Sequence, residues 1–227
     1  YAEQKEFSEK IYDIATILPM IKSEQKIVEK ITKLKMMIES RAEAQDVALL
    51  SRDIQKDLII LSKVSLSPNQ WPSLSNGKEL YLQNCVSCHG QKGLGDGDNG
   101  ASLDPKPANF HNSERMGQIS AFHAYNTIRL GVPGTGMIAW NQFSDKDVWD
   151  LSFYVMSIRH EELAHSPEAK SSAVNDSITL EQASTLSDSE LLTKMEDRNN
   201  SNKNLALALL RNKTNSPTGG EFIGKAK

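Results

Sequence analysis

Cys85-Val86-Ser87-Cys88-His89 holds both cysteines of the chain, and the way they are spaced decides how the rest is read. On a turn of helix, side chains three apart share a face, so Cys85 and Cys88 point the same way and His89 follows at once. Two thiols so placed can add to the two vinyl groups of one porphyrin, which sets the adjacent imidazole beneath the iron. Three residues thus fix ring, tether and axial ligand, and the expectation is one covalently attached haem c. A tetrahedral zinc site would need two further ligands at suitable spacing, and a thioredoxin-like dithiol would need a preceding strand and a βαβ setting. Neither accompanies this stretch.

The sixth iron ligand has to come from the chain after His89. Met116, Met137 and Met156 are the thioether candidates, with His111 and His123 as nitrogen alternatives. Met156 falls on an amphipathic helix and reads as core. Met137 lies in Gly131-Val132-Pro133-Gly134-Thr135-Gly136-Met137-Ile138-Ala139-Trp140, a Gly-rich segment able to approach a porphyrin face, 48 residues beyond His89. Met137 is therefore the expected ligand, which would raise the reduction potential, and Met116 is the runner-up with a packing role on the haem edge as its alternative. Gly95-Asp96-Gly97-Asp98-Asn99-Gly100 satisfies a G-x-G-x-x-G pattern, but it follows no strand and so lacks the setting a nucleotide loop requires. Asp96 and Asp98 hint at a calcium loop, yet Pro107 occupies the twelfth position where a glutamate should stand. Pro105 and Pro107 instead shape a loop whose carbonyl is expected to orient His89 through its second ring nitrogen.

Outward from the motif, a helix is expected from near Asn76 to the cysteines. A last one should open at Ser144-Asp145-Lys146-Asp147, turning Val148, Leu151, Val155 and Ile158 inward. Between them Gly and Pro are frequent and no strand pattern appears, so this middle needs a large group to pack around. The haem-bearing domain is placed at 75–162, behind a Pro- and Ser-punctuated linker at 67–74. Residues 1–66 read as a three-helix domain with apolar stripes Phe7/Ile11/Ile14/Leu18, Ile27/Ile31/Leu34/Ile38 and Val47/Leu50/Ile54/Leu58/Leu61. Its charges balance at 11 positive and 11 negative and read as a solvated surface, although Glu6, Glu9 and Asp13 could line one side of the first helix as an iron-binding row. Residues 163–227 read as linker, short helices capped at Thr179 and Ser187, a further short helix at Leu205–Leu210, and a loose tail from Thr214.

A chain of 227 residues accommodates one to two domains at about 150 residues each. Its 26 basic and 29 acidic side chains give a net charge of -3, which removes the long-range attraction that a nucleic acid would need. The longest run of branched aliphatic residues is Leu58-Ile59-Ile60-Leu61, far short of a membrane span. Tyr1 stands first with no basic, apolar leader before it, so a targeting segment is expected to precede this stretch.

With Gly77 and Tyr81 before the motif and Trp149 and Tyr154 on the last helix, residues from about 75 to 160 resemble a class I c-type cytochrome. The resemblance implies an all-α domain whose first and last helices cross closely at Gly77. More widely, Tyr1-Ala2-Glu3-Gln4-Lys5-Glu6-Phe7, Leu103-Asp104-Pro105-Lys106-Pro107-Ala108-Asn109-Phe110 and Leu186-Ser187-Asp188-Ser189-Glu190-Leu191-Leu192 frame the haem motif. That framing is similar to the extracytoplasmic region of bacterial high-affinity iron permeases that carry a fused cytochrome. The chain departs from them in lacking membrane helices and an Arg-Glu-x-x-Glu motif. The resemblance implies a periplasmic or otherwise extracytoplasmic electron carrier, membrane-tethered in the intact protein, rather than a substrate-turnover enzyme. Its implied partners are the permease membrane domain, a redox partner protein and iron ions. A free-standing respiratory shuttle and a binding module with structural haem are the alternatives.

Overall fold

The computed structural model describes residues 1–62, 65–171, 178–196 and 202–213, and among these every regular element is helical. The all-α expectation holds. The tail from Thr214 falls outside the described residues. The chain divides into two compact units, Tyr1–Ser65 and Leu66–Lys227.

In the first unit, helices Ala2–Ile17, Gln25–Glu39 and Ala44–Ser62 carry a core of Ala15, Ile21, Ile27, Ile31, Leu34 and Ile54. The second stripe is buried as expected. The first is not: Phe7 and Ile14 are 64% and 53% exposed, while Ser8 and Ala15 face inward. The helix meets its neighbour through its small side chains, which permit close approach, and this turns the larger apolar ones outward. Lys30 Nζ joins the second and third helices by reaching Asp53 and Asp57, each at 2.6 Å.

The second unit is organised by two helices, Leu74–Asn84 and Asp145–Ser157. Each starts on a serine: Ser73 Oγ accepts from the Asn76 N–H at 3.2 Å, and Ser144 Oγ from the Asp147 N–H at 3.1 Å. They cross at Gly77, where a Cβ would stand 2.2 Å from the Asp150 carbonyl oxygen and 2.7 Å from the Tyr154 Cβ. The Asp150 carboxylate, buried at the same crossing, accepts from the Ser73 N–H and from Asn76 Nδ2, both at 2.8 Å, and from Lys146 Nζ at 2.6 Å. One acidic side chain thus closes the cap of the first helix onto the body of the last.

Val148, Leu151, Val155 and Ile158 are buried, but so is every other residue from Val148 to Ser157. A helix enclosed on all sides needs cover beyond its first partner. Part of it comes from helix Ala121–Leu130, which lies in the stretch that looks like loop in sequence. Its ends are marked by the Ser120 cap and Gly131, and Tyr125 packs on Trp149 with ring centroids 4.5 Å apart. The rest comes from the C-terminal helices Leu180–Thr185, Asp188–Glu196 and Lys203–Arg211. Thr179 makes a full capping box with Gln182, and Ser187 exchanges hydrogen bonds with Glu190. Ala183, Leu191, Met195, Ala206, Leu207 and Leu210 share one apolar core with Tyr81, Trp149 and Phe153. The short helices expected after residue 163 are present, and their apolar faces belong to the core of the second unit. Apolar faces too short to be conspicuous in sequence are sealed against helix Asp145–Ser157.

A buried ionic cluster fastens this seal. Asp188 is 1% exposed and takes Arg211 Nε on Oδ1 at 2.7 Å, with Arg159 and His160 Nε2 on Oδ2, the latter at 2.8 Å. Arg211 also donates to the carbonyls of Ala183 and Leu186 at 2.6 and 3.2 Å. Burial disfavours the Asp188 charge, but Arg211, His160 and Arg159 together outweigh it and hold the carboxyl well below the usual carboxylate range. A depressed native value stabilises the fold above the unfolded carboxyl's value near pH ~4, and that stabilisation fades as pH falls toward the native one. Asp188→Asn, which leaves two guanidinium groups uncompensated, is expected to lower stability at pH 7 by about 3–5 kcal/mol. Denaturant titrations at descending pH should show the gap to the unaltered protein narrowing below pH ~4.

Candidate functional site

Cys85 ends the helix that Ser73 begins, its N–H donating to the Tyr81 carbonyl at 2.8 Å, and Val86–His89 forms the next turn. The His89 and Cys88 N–H groups both reach back to the Cys85 carbonyl, at 2.8 and 3.2 Å, so the three motif side chains issue from one turn. Both thiols are free and half-buried. The following loop folds back over this turn: the Gly95 N–H donates to the His89 carbonyl at 2.8 Å and the Gly97 N–H to the Cys88 carbonyl at 3.2 Å. A Cβ on Gly97 would stand 2.4 Å from the Ser87 carbonyl oxygen. The glycines that imitate a nucleotide loop are therefore required for backbone to lie on backbone. Tyr81, wholly buried, secures the exit of the turn by donating its hydroxyl to the Gly90 carbonyl at 2.6 Å.

His89 Nδ1 lies 3.3 Å from the Ala108 carbonyl, which identifies the orienting oxygen that sequence alone leaves open and keeps Nε2 as the outward nitrogen. Burial lowers the proton affinity of this imidazole, favouring the neutral form that ligates metals. Phe110 stacks on its face with centroids 4.8 Å apart and planes at 18°. Burial, with Cys88 alongside, pushes the Cys85 thiol up to about 12, the reverse of what an activated dithiol needs. Among the described residues no three His, Cys, Asp or Glu side chains converge as a metal-binding group. Of the carboxylates that could form an iron-binding row in the first unit, Glu6 is paired with Lys10 at 2.8 Å.

Met137 is half-buried on a turn closed by the Val132 N–H donating to its carbonyl at 2.8 Å, and its own N–H is taken by Thr135 Oγ1 at 3.1 Å. Arg129, which the sequence does not single out, holds the segment: Nη1 donates to the Phe143 carbonyl at 2.8 Å and Nη2 to Asp145 at 2.7 Å. Met116 and Met156 are packed in the apolar core, at 2% and 0% exposure. Of the histidines, His111 Nε2 is 2.8 Å from the Lys92 carbonyl, and His123 lies exposed on helix Ala121–Leu130. The donors fit a covalently held haem: two thiols outside any disulfide on one turn, an imidazole whose Nδ1 faces a carbonyl, and a thioether on a half-buried turn.

Residues 74–159 match the cytochrome c family. A solved structure, the reducing HAO-like protein complex of Kuenenia stuttgartiensis, is similar at 30% identity over 42% of this chain and 49% of that one, with a TM-score of 0.37. The chain thus spans about half the length of that relative. No curated protein matches the chain. Residues 74–159 are a c-type cytochrome domain, which implies covalently bound haem c and electron transfer. No helix among the described residues is long and apolar enough to cross a membrane. The matured protein is expected to keep its porphyrin absorbance through denaturing electrophoresis and acid extraction, and Cys85→Ala or Cys88→Ala to lose or greatly reduce it.

Proposed function

We propose that the chain is a single-haem electron-transfer module outside the cytoplasmic membrane, tethered there in the intact protein, which serves high-affinity iron uptake. The observation that carries the redox half is the turn Cys85–His89, with two free thiols and an imidazole oriented by the Ala108 carbonyl. Bound haem supplies a one-electron centre. Cys85 and Cys88 would hold it as thioethers, and His89 Nε2 and the Met137 sulfur would be the donors to its iron. Core burial of Met116 and Met156 favours Met137 among the methionines. Two such donors would leave the iron no open site for substrate, which fits a carrier and not an oxygenase or peroxidase. Met137→Ala is expected to open the iron to added ligands and lower the potential, because a thioether favours the ferrous state. The same change produced by Met116→Ala, with Met137→Ala spectrally silent, would reassign the ligand.

The iron-uptake half rests on the permease-like framing sequences. Ferrous iron is the electron source on this reading, an iron permease membrane domain and a redox partner protein are the partners, and contact requires only proximity and driving force. Uptake is to be measured in cells whose intact protein carries His89→Ala at normal abundance. Lost uptake is the expected result; undiminished uptake favours a free-standing respiratory shuttle.

A further inference from the structure

We propose that Phe110 is a positioning residue that sets the redox potential through the proximal histidine. This rests on the haem reading above. The imidazole of His89 is held by two contacts of unequal strength. The Nδ1 to Ala108 carbonyl distance, 3.3 Å, lies at the long end for a hydrogen bond, so this contact sets which way Nδ1 faces but holds the ring plane only loosely. The Phe110 ring, nearly parallel to the imidazole with centroids 4.8 Å apart, stacks offset on one face of it and limits that swing.

Phe110 can act as a fixed wall because it is itself gripped. It is buried, and its N–H donates to the Gly93 carbonyl at 2.7 Å. Its ring lies over Gly93, where a Cβ would meet Phe110 Cδ2 at 2.8 Å, and Tyr81 abuts it with centroids 6.4 Å apart. Tyr81 in turn is anchored to the Gly90 carbonyl. The wall and the histidine turn are therefore tied to the same short backbone segment, Gly90–Gly93.

The stack also has an electronic sign. An imidazole bound to ferric iron carries more positive charge than one bound to ferrous iron, and the electron-rich face of a phenyl ring favours the more positive partner. Phe110 thus stabilises the oxidised state as well as the ring orientation. An aliphatic side chain of similar bulk would fill the space and supply neither effect.

The test compares Phe110→Leu and Phe110→Tyr in the full chain, with haem content and helical content measured alongside the midpoint potential and the ferric low-spin resonance spectrum. The leucine variant is expected to keep its haem, shift the potential upward and alter the spread of g values. The tyrosine variant, which retains the aromatic face, should stay near the unaltered protein in both. If the leucine protein does not mature, Phe110→Met makes the same comparison with an unbranched chain. Potential and spectrum unchanged in the aliphatic variant, or shifted equally in the tyrosine one, would overturn the proposal while leaving the haem reading intact. An unaltered protein that carries no covalent haem would overturn both.

Discussion

The close crossing of helices Leu74–Asn84 and Asp145–Ser157 governs the haem-bearing unit. At Gly77 the backbones approach until a methyl group would overlap the Asp150 carbonyl, and the Asp150 side chain turns that proximity into hydrogen bonds with Ser73 and Asn76. An uncompensated buried carboxylate would be costly, so its donors must be in place whenever the helices pack. The crossing therefore has one register. That register fixes Tyr81 against Tyr154, with ring centroids 5.5 Å apart, and Tyr81 fixes the carbonyl at the end of the histidine turn.

From this fixed point the attachment turn is positioned by backbone rather than by side chains. Its carbonyls receive N–H groups from the loop that follows, and the loop then delivers the Ala108 oxygen and the Phe110 ring to His89. The end of the Met137 segment is held by Arg129, whose Nη1 donates to the Trp140 and Phe143 carbonyls.

The C-terminal helices extend the same logic. Enclosure of the terminal cytochrome helix is completed by Leu207, Leu210 and their neighbours, and the Asp188 cluster ties three separate chain segments together. An all-apolar interface could slide, whereas a buried carboxylate shared by Arg159, His160 and Arg211 is satisfied in a single alignment. The unit so formed is larger than residues 74–159, the span that matches the cytochrome c family.

Cys85, Cys88 and His89 were legible from sequence as one constellation because they are neighbours on a single turn, where local spacing suffices to aim them. The sequence also located the helix starts at Ser144, Thr179 and Ser187, where a cap is a contact between residues three apart. It misjudged what depends on partners distant in the chain. The stripe Phe7/Ile11/Ile14 has the period of a buried face, but Ser8 and Ala15 face the neighbouring helix, because contact distance rather than hydrophobicity selected the face. Helix Ala121–Leu130 was hidden among glycines and prolines, and the joining of 178–213 to the core could not be read from short amphipathic segments. The Pro105/Pro107 loop was legible as the source of an orienting carbonyl, but the choice of Ala108, and the roles of Phe110 and Arg129, rest on partners distant in the chain that only the tertiary fold brings together.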